Sequence, residues 1–171
     1  MIEGFITEPL NPGHDRTGFY CGVQPLDRYL RERATQDVRR RVSNCFVARG
    51  PAGEIAAYYT FAATGIPLTE LAPEVTRRLP RYPTVPAALI GRLAVDLQFR
   101  GQGLGAALIV DALARVMRAE PAIFALVVDA KDDKAVRFYQ HLGFQCFVSH
   151  PMRLYLPVAE AARRLAEKSD R

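Results

Sequence analysis

The sequence predicts a mixed α/β (α+β) fold whose central sheet is mostly antiparallel and contains one parallel pair of strands. Two observations carry this prediction. The apolar segments 45–48 and 55–62 flank the glycine-containing segment 49–53, which is typical of an antiparallel hairpin. Further on, the apolar run 89–95 leads through a glycine-rich turn into a helix-period segment and then into a second apolar run, 123–128. This order is typical of a parallel strand–helix–strand unit.

Length and composition indicate one folded domain over residues 1–171. The chain has 49% apolar and 24% charged residues, which is ordinary for a globular protein and unlike a disordered one. No apolar run approaches the roughly 20 residues of a membrane span, and the amino terminus lacks the pattern of a secretory signal, so we expect a cytoplasmic protein. Three cysteines and three histidines are widely spaced, so we expect neither a disulfide framework nor a metal site. We expect the three cysteines to be small core residues.

The elements follow in chain order from these patterns. Residues 5–22 predict a strand and a polar connection, and apolar residues recur at helical spacing over 25–41, which predicts one amphipathic helix. A proline-rich connection at 67–86, with a short helix at 74–79, either forms a wall of a substrate pocket or wraps the surface. The later predictions are a helix at 104–117, a short helix from Asp132 to Leu142 closed by Gly143, strands at 144–148 and 152–156, and a final helix at 158–167.

The turn after the apolar run 89–95 contains Gly101, Gly103 and Gly105. Glycines let backbone N–H groups approach a ligand closely, and the first N–H groups of a helix point into the same space, which favours a phosphate. The spacing excludes a P-loop, since Leu104 and Gly105 stand where lysine and serine or threonine are required, and it does not fit the dinucleotide fingerprint. Taken alone, the glycines are also compatible with a tight turn that packs a helix on a sheet.

Arginines are clustered in two places. The chain carries a net charge of +5. Such groups can neutralise the phosphates of a nucleic acid, although a solvated helix face, with arginine favoured near the helix C-terminus, is the alternative. The two groups are Arg39, Arg40 and Arg41, and Arg77, Arg78 and Arg81.

Two motifs together resemble the GCN5-related N-acetyltransferase (GNAT) family. The pattern R-x-x-G-x-G at 100–105, preceded by a strand that ends Leu-Ala-Val, is similar to the family's loop for the pyrophosphate of acyl-CoA. The segment 132–144 is similar to the family pattern N-x-x-A-x-x-F-Y-x-x-x-G-F, with aspartate in place of the first asparagine. The resemblance implies acetyl-CoA as the cofactor, a GNAT-like domain and a splayed pair of parallel strands where the thioester lies.

The resemblance also implies individual roles. Tyr139 is the expected acid that protonates the departing thiolate, while a core aromatic beside Phe138 is the alternative reading of that residue. The backbone of Val95 is expected to hold the thioester and pantetheine. The implied cofactor-binding residues are Leu93, Ala94, Val95, Arg100, Gly101, Gln102, Gly103, Leu104, Gly105, Ala106, Asp132 and Phe138.

Further segments, at 19–22, 26–30, 57–60, 79–83, 91–96 and 128–132, are similar to the acetyltransferase toxins of bacterial type II toxin–antitoxin systems. This similarity implies acetylation of the α-amino group of an aminoacyl-tRNA, a ribbon-helix-helix antitoxin that binds operator DNA, and a homodimer. We expect tRNA contacts from Arg39, Arg40, Arg41, Arg77, Arg78, Arg81 and Arg92.

An α-amino group suits the chemistry, because its pKa near 8 leaves a fraction neutral in the cell without a strong base, and the sequence identifies no carboxylate as that base. Acetylation of a small amine or a protein, and acyl-CoA binding without catalysis, are the alternatives.

Overall fold

The computed structural model describes residues 2–170, in which the backbone forms two compact units. The first unit contains the chain up to Ala62 together with Ile90–Ala112, and the second contains Ala63–Leu89 together with the chain from Leu113 onward. No helix in this part of the chain is long and apolar enough to cross a membrane. The elements are β1 (Ile6–Pro9), α1 (Gln24–Glu32), α2 (Ala34–Arg39), β2 (Asn44–Arg49), β3 (Ile55–Pro67), α3 (Pro73–Thr76), β4 (Thr84–Ile90), β5 (Leu93–Val95), α4 (Leu104–Arg118), β6 (Ala125–Asp129), α5 (Asp133–His141), β7 (Gln145–Cys146), β8 (Arg153–Pro157) and α6 (Val158–Ser169).

The first unit is built on antiparallel strands. Strand β2 pairs with β1 on one side and with β3 on the other, and β5 pairs with the far edge of β3. Helix α1 covers one face of these strands with Tyr29 and Leu30, which pack with Tyr58 of β3 in one buried cluster. The hydroxyl of Tyr58 donates a hydrogen bond of 2.6 Å to the carbonyl of Leu26, so the buried ring keeps its polar end satisfied.

In the second unit the strand order is β4, β6, β8, β7, with the end of β3 beside β4. Strand β8 pairs antiparallel with both β6 and β7. Residues 125–128 of β6 are at most 1% exposed, which agrees with the prediction of a strand that is apolar on both faces. The predicted fold, a mixed and mostly antiparallel sheet with one parallel pair and flanking helices, is confirmed.

The prediction of one helix over 25–41 is wrong, because the chain forms α1 and α2 with a break at Arg33. The backbone of Arg33 has φ −122° and ψ −31°. Across the break the hydroxyl of Tyr29 donates a hydrogen bond of 2.8 Å to the carboxylate of Asp37. No glycine or proline lies at the break to explain it locally. It is accompanied instead by this contact between side chains.

The sequence predicts one strand over the run 89–95, but this run forms the end of β4 and the whole of β5. Gly91 and Arg92 separate the two strands. Thr60 of β3 holds the second part: its N–H donates to the carbonyl of Arg92 at 3.0 Å, and its hydroxyl accepts from the Arg92 N–H at 3.0 Å. Strand β5 thereby joins the first unit as a short edge beside β3.

Three smaller predictions also need correction. Strand β3 continues to Pro67 and β4 begins at Thr84, so the proline-rich connection is shorter than predicted at both ends. Its helix lies at Pro73–Thr76 rather than at 74–79. Cys21 and Cys45 are buried, as expected of core residues, but Cys146 is only half-buried.

Candidate acetyl-CoA site

The glycine-rich turn depends on two glycines with left-handed backbone. Gly101 has φ +77° and Gly103 has φ +78°, a region that residues with a Cβ rarely adopt. Gly105, in contrast, lies inside helix α4. The sequence therefore spaces two glycines where the backbone requires them, and the turn delivers the chain directly into α4.

The first turn of α4 presents unpaired donors. Ala107 donates the first helical hydrogen bond, 3.0 Å to the carbonyl of Gly103. Within residues 2–170 no acceptor bonds the backbone N–H groups of Leu104, Gly105 and Ala106. Three N–H groups without an acceptor among the described residues, at the positive end of the helix dipole, can bind an anion, and the two-phosphate group of CoA fits this donor set.

Strand β5 leaves hydrogen-bonding groups free along one edge. Asp96 donates from its N–H to the carbonyl of Ala56 at 2.8 Å, whereas Val95 stands opposite Ala57. Hydrogen-bonded and non-hydrogen-bonded pairs alternate along an antiparallel ladder, so the N–H and C=O of Val95 point away from β3. Among the described strands β5 pairs with β3 alone. The edge at Val95 can therefore accept an extended amide chain such as pantetheine.

Tyr139 occupies a buried position on α5 in the second unit. Its residue is 6% exposed, and its ring packs edge-on against Phe138 and Phe144, with centroids 5.2 and 5.5 Å away. Burial, aided by the negative charge of Asp129, raises the pKa of Tyr139 to about 12. The phenol is thus fully protonated at neutral pH, as an acid must be. The ring lies in a core of aromatics and the hydroxyl has no hydrogen bond to any described residue, which is compatible with either reading of the sequence.

Local caps set the ends of α5 as the sequence predicts. The carboxylate of Asp132 accepts a hydrogen bond of 2.7 Å from the N–H of Ala135 and so caps the first turn. At the other end Gly143 has φ +101°. One oxygen of Asp132 is therefore engaged in capping. Phe138, which was also expected to contact the cofactor, is 37% exposed.

Sequence reasoning missed two acidic residues that position this region. Asp96, at the end of β5, is 6% exposed and accepts hydrogen bonds from the N–H groups of Tyr20 and Gln98, each at 2.9 Å. Asp111 of α4 accepts a hydrogen bond of 2.6 Å from the hydroxyl of Tyr59 on β3. An aspartate within the otherwise apolar first three turns of α4 was the available signal for this second contact.

The predicted tRNA contacts differ in their surroundings. The guanidinium of Arg92 lies 3.6 Å from the ring centroid of Tyr29, so it already makes a cation–π contact. The other six arginines are exposed, and their side chains make no hydrogen bond or ion pair within the described part of the chain. These six are Arg39, Arg40, Arg41, Arg77, Arg78 and Arg81.

Comparison with known proteins agrees with these features. A family model described as an acetyltransferase (GNAT) domain matches residues 85–153. A tRNA-acetylating toxin of Mycobacterium tuberculosis is 34% identical over 154 residues, which cover 89% of this chain and 91% of that protein. A probable toxin TacT of Sinorhizobium fredii is 29% identical over 165 residues, which cover 90% and 91% of the two chains.

Solved structures extend the likeness. The toxin AtaT complexed with acetyl-methionyl-tRNAfMet matches with a TM-score of 0.87 and 26% identity over 94% of this chain and 99% of that one. A mutant AtaT bound to the C-terminus of the antitoxin AtaR matches with a TM-score of 0.80 and 25% identity over 95% and 98% of the two chains. The chain therefore belongs to the GCN5-related N-acetyltransferases. The predicted family, enzyme class and acetyl-CoA cofactor are confirmed.

Proposed function

We propose that this protein is a toxin that transfers an acetyl group from acetyl-CoA to the α-amino group of an aminoacyl-tRNA and thereby blocks translation. The observation that carries the proposal is the 34% identity to a tRNA-acetylating toxin along 91% of that protein's length. The family model covers residues of both compact units, and we propose that they act together as one acetyltransferase domain over residues 1–171.

The donor side of the reaction uses backbone groups. The free N–H groups of Leu104, Gly105 and Ala106 bind the pyrophosphate, with Gly101 and Gly103 supplying the turn. Leu93, Ala94, Arg100 and Gln102 contribute to the same binding surface. Ala94 is 4% exposed and stands opposite Tyr58 with its N–H and C=O facing β3, so its contribution is to fix the position of β5. The outward N–H and C=O of Val95 orient the thioester at the end of this surface.

Bonds and protons balance in the acetyl transfer without a strong base. The amine nitrogen forms a bond to the thioester carbonyl carbon as the carbon–sulfur bond breaks; the amine loses one proton and the sulfur gains one. An α-amine with a pKa near 8 supplies enough neutral nucleophile. Tyr139 donates the proton to the sulfur. The tyrosinate left behind is a stronger base than a thiolate, because the pKa of Tyr139, about 12, lies above that of a thiol, near 8.5. It must therefore regain a proton in the same turnover, and the amine releases one.

Exposed arginines support a polyanionic acceptor. The six arginines that have no partner among residues 2–170 form two groups, at 39–41 and at 77–81, and their charge can neutralise tRNA phosphates. Arg92 contributes positive charge from its place over Tyr29. We also propose a cytoplasmic protein, since aminoacyl-tRNA is found there, that forms a homodimer and binds a ribbon-helix-helix antitoxin. The mutant AtaT structure with the C-terminus of AtaR supports an antitoxin partner.

Cell-free translation tests the proposal. The purified protein should stop synthesis of a reporter only when acetyl-CoA is added, and aminoacyl-tRNA acetylated in advance should fail to support synthesis in fresh extract. Undiminished synthesis, together with acetylation of free amines or peptides by the same preparation, would instead identify an amine or protein acetyltransferase. Undiminished synthesis with acetyl-CoA bound but unconsumed would identify a binding module.

A further inference from the structure

Tyr20 is an exposed aromatic residue between two buried ones. It lies in the connection from β1 to α1 and is 59% exposed, whereas Phe19 and Cys21 are each 2% exposed. An isolated exposed tyrosine needs no explanation by itself. The backbone around Tyr20 does need an explanation, because it makes more hydrogen bonds to distant parts of the chain than a surface connection usually does.

All four polar backbone groups of Tyr20 and Cys21 are paired with other parts of the chain. The N–H of Tyr20 donates to the carboxylate of Asp96 at 2.9 Å, and its carbonyl accepts from the N–H of Leu97 at 3.0 Å. The N–H of Cys21 donates to the carboxylate of Asp27 at 2.8 Å, and its carbonyl accepts from the Arg100 guanidinium at 2.9 Å. Long-range hydrogen bonds therefore fix the backbone of this segment on both residues.

Two of these partners are buried carboxylates. Asp27 is 2% exposed and Asp96 is 6% exposed. Burial of a carboxylate is costly unless hydrogen bonds replace its lost water, and both of these residues use an oxygen to hold this segment. A side chain on a backbone fixed in this way loses little conformational freedom when it binds a ligand. This arrangement suits a preformed contact surface.

The position of Tyr20 indicates which ligand it meets. Its backbone is bonded to Asp96 and Leu97, which directly follow Val95. In the proposed function Val95 orients the thioester, so the backbone of Tyr20 is anchored within two residues of the group that holds the thioester. The adenine of acetyl-CoA belongs at the other end, beyond the pyrophosphate at Leu104–Ala106. The ring of Tyr20 is thus available to the acceptor.

We propose that Tyr20 stacks on the 3′-terminal base of the aminoacyl-tRNA and so positions the α-amino group beside the thioester. This inference rests on the proposed function. The 3′ end of an acceptor tRNA is single-stranded, and exposed aromatic rings on a rigid support bind such bases by stacking, largely without regard to sequence. Tyr20 is accordingly a binding residue for the acceptor and takes no part in proton transfer.

Steady-state kinetics of Tyr20→Ala with three acceptors tests the inference. The acceptors carry the same amino acid on tRNA, on adenosine alone and as a methyl ester. From the usual contribution of base stacking, we expect the KM to rise about 5-fold to 150-fold for the two acceptors that contain adenine. The KM for acetyl-CoA and the rate with the ester should keep their wild-type values. Tyr20→Phe retains the ring and should restore most of the lost affinity.

Three outcomes would contradict the inference. They are an unchanged KM for aminoacyl-tRNA, an equal loss with the ester, and a rise confined to the KM for acetyl-CoA. The melting temperature serves as the control for folding, and it should not change because the side chain is exposed. Wild-type protein that acetylates no aminoacyl-tRNA would overturn the proposed function itself, whereas active wild-type protein with an indistinguishable Tyr20→Ala variant would overturn this inference alone.

Discussion

The hydroxyl of Tyr59 on β3 donates a hydrogen bond of 2.6 Å to the carboxylate of Asp111 on α4. Tyr59 is fully buried, and the bond ties β3 to the helix whose first-turn N–H groups we propose bind the pyrophosphate. The orientation of that helix is therefore set from β3, 52 residues away in sequence.

Tyr59→Phe should weaken both folding and donor binding. Loss of a hydrogen bond to a charged group lowers the free energy of unfolding by about 1.5–3 kcal/mol, and the displaced helix should raise the KM for acetyl-CoA. Tyr58→Phe is the matched control, since it removes a buried tyrosine hydrogen bond of the same length, to Leu26, without touching α4. Equal changes in the acetyl-CoA KM of the two variants would show that the Asp111 bond does not position the helix.

Gly101→Ala should raise the KM for acetyl-CoA. Alanine at φ +77° costs about 1–2 kcal/mol, and relief of that strain would move the N–H groups of the turn. Gly53→Ala carries the same strain at φ +87°, and both sites have open space around a new Cβ. Chemical denaturation should show a similar loss in the free energy of unfolding for both variants, whereas only Gly101→Ala should lose affinity for acetyl-CoA. Normal acetyl-CoA affinity in Gly101→Ala would show that the turn is not part of the binding site.

Tyr139→Phe should lower kcat about 100-fold or more and leave the KM for acetyl-CoA close to wild type. The phenylalanine ring keeps the packing against Phe138 and Phe144, while the acid is lost. Rapid-quench measurement of acetylated product gives kcat, and expression in a bacterial host should no longer arrest growth. A wild-type rate, or full growth arrest, would leave Tyr139 as a core aromatic.

The pH dependence should follow the acceptor and not the enzyme. Burial raises the pKa of Tyr139 to about 12, so the phenol stays protonated below that pH. The α-amine becomes neutral as the pH rises through about 8. We therefore expect kcat/KM to increase through about pH 8 and to level off above about pH 9. A fall in rate between pH 8.5 and 10 in protein that remains folded would contradict this assignment of the acid.

Arginine substitutions should change the salt dependence of tRNA binding. Replacing Arg77, Arg78 and Arg81 by alanine removes up to three phosphate contacts, and each lowers the slope of log affinity against log salt by about 0.7–0.9. Arg163→Ala, at an exposed position on α6 outside both arginine groups, is the control. Filter binding across a salt series gives the slopes. Identical slopes for the triple variant and the control would show that tRNA does not bind at Arg77, Arg78 and Arg81.

The features that the sequence predicts well are local ones. Gly101 and Gly103 indicate the turn because few other residues tolerate its backbone, and Asp132 and Gly143 mark the ends of α5 because caps involve neighbours within four residues. The family resemblance likewise rests on short motifs. For these features no knowledge of distant contacts is needed.

The features that the sequence missed depend on distant partners. The break at Arg33 accompanies the Tyr29–Asp37 bond, and the separation of β4 from β5 accompanies the pairing of Thr60 with Arg92. The carboxylate of Asp96 meets the backbone of a residue 76 positions away. Neither hydrophobic period nor turn chemistry encodes such contacts, because each requires the folded sheet to bring the two residues together.

Mass spectrometry tests most directly whether the acceptor is an aminoacyl-tRNA. Total aminoacyl-tRNA should be incubated with the protein and acetyl-CoA and digested with nuclease, and the released aminoacyl-adenosines should be analysed by mass spectrometry. We expect at least one aminoacyl-adenosine heavier by one acetyl group on its α-amine, with Tyr139→Phe forming far less of it. If no aminoacyl-adenosine gains an acetyl group while acetyl-CoA is consumed on another amine, the claim is contradicted.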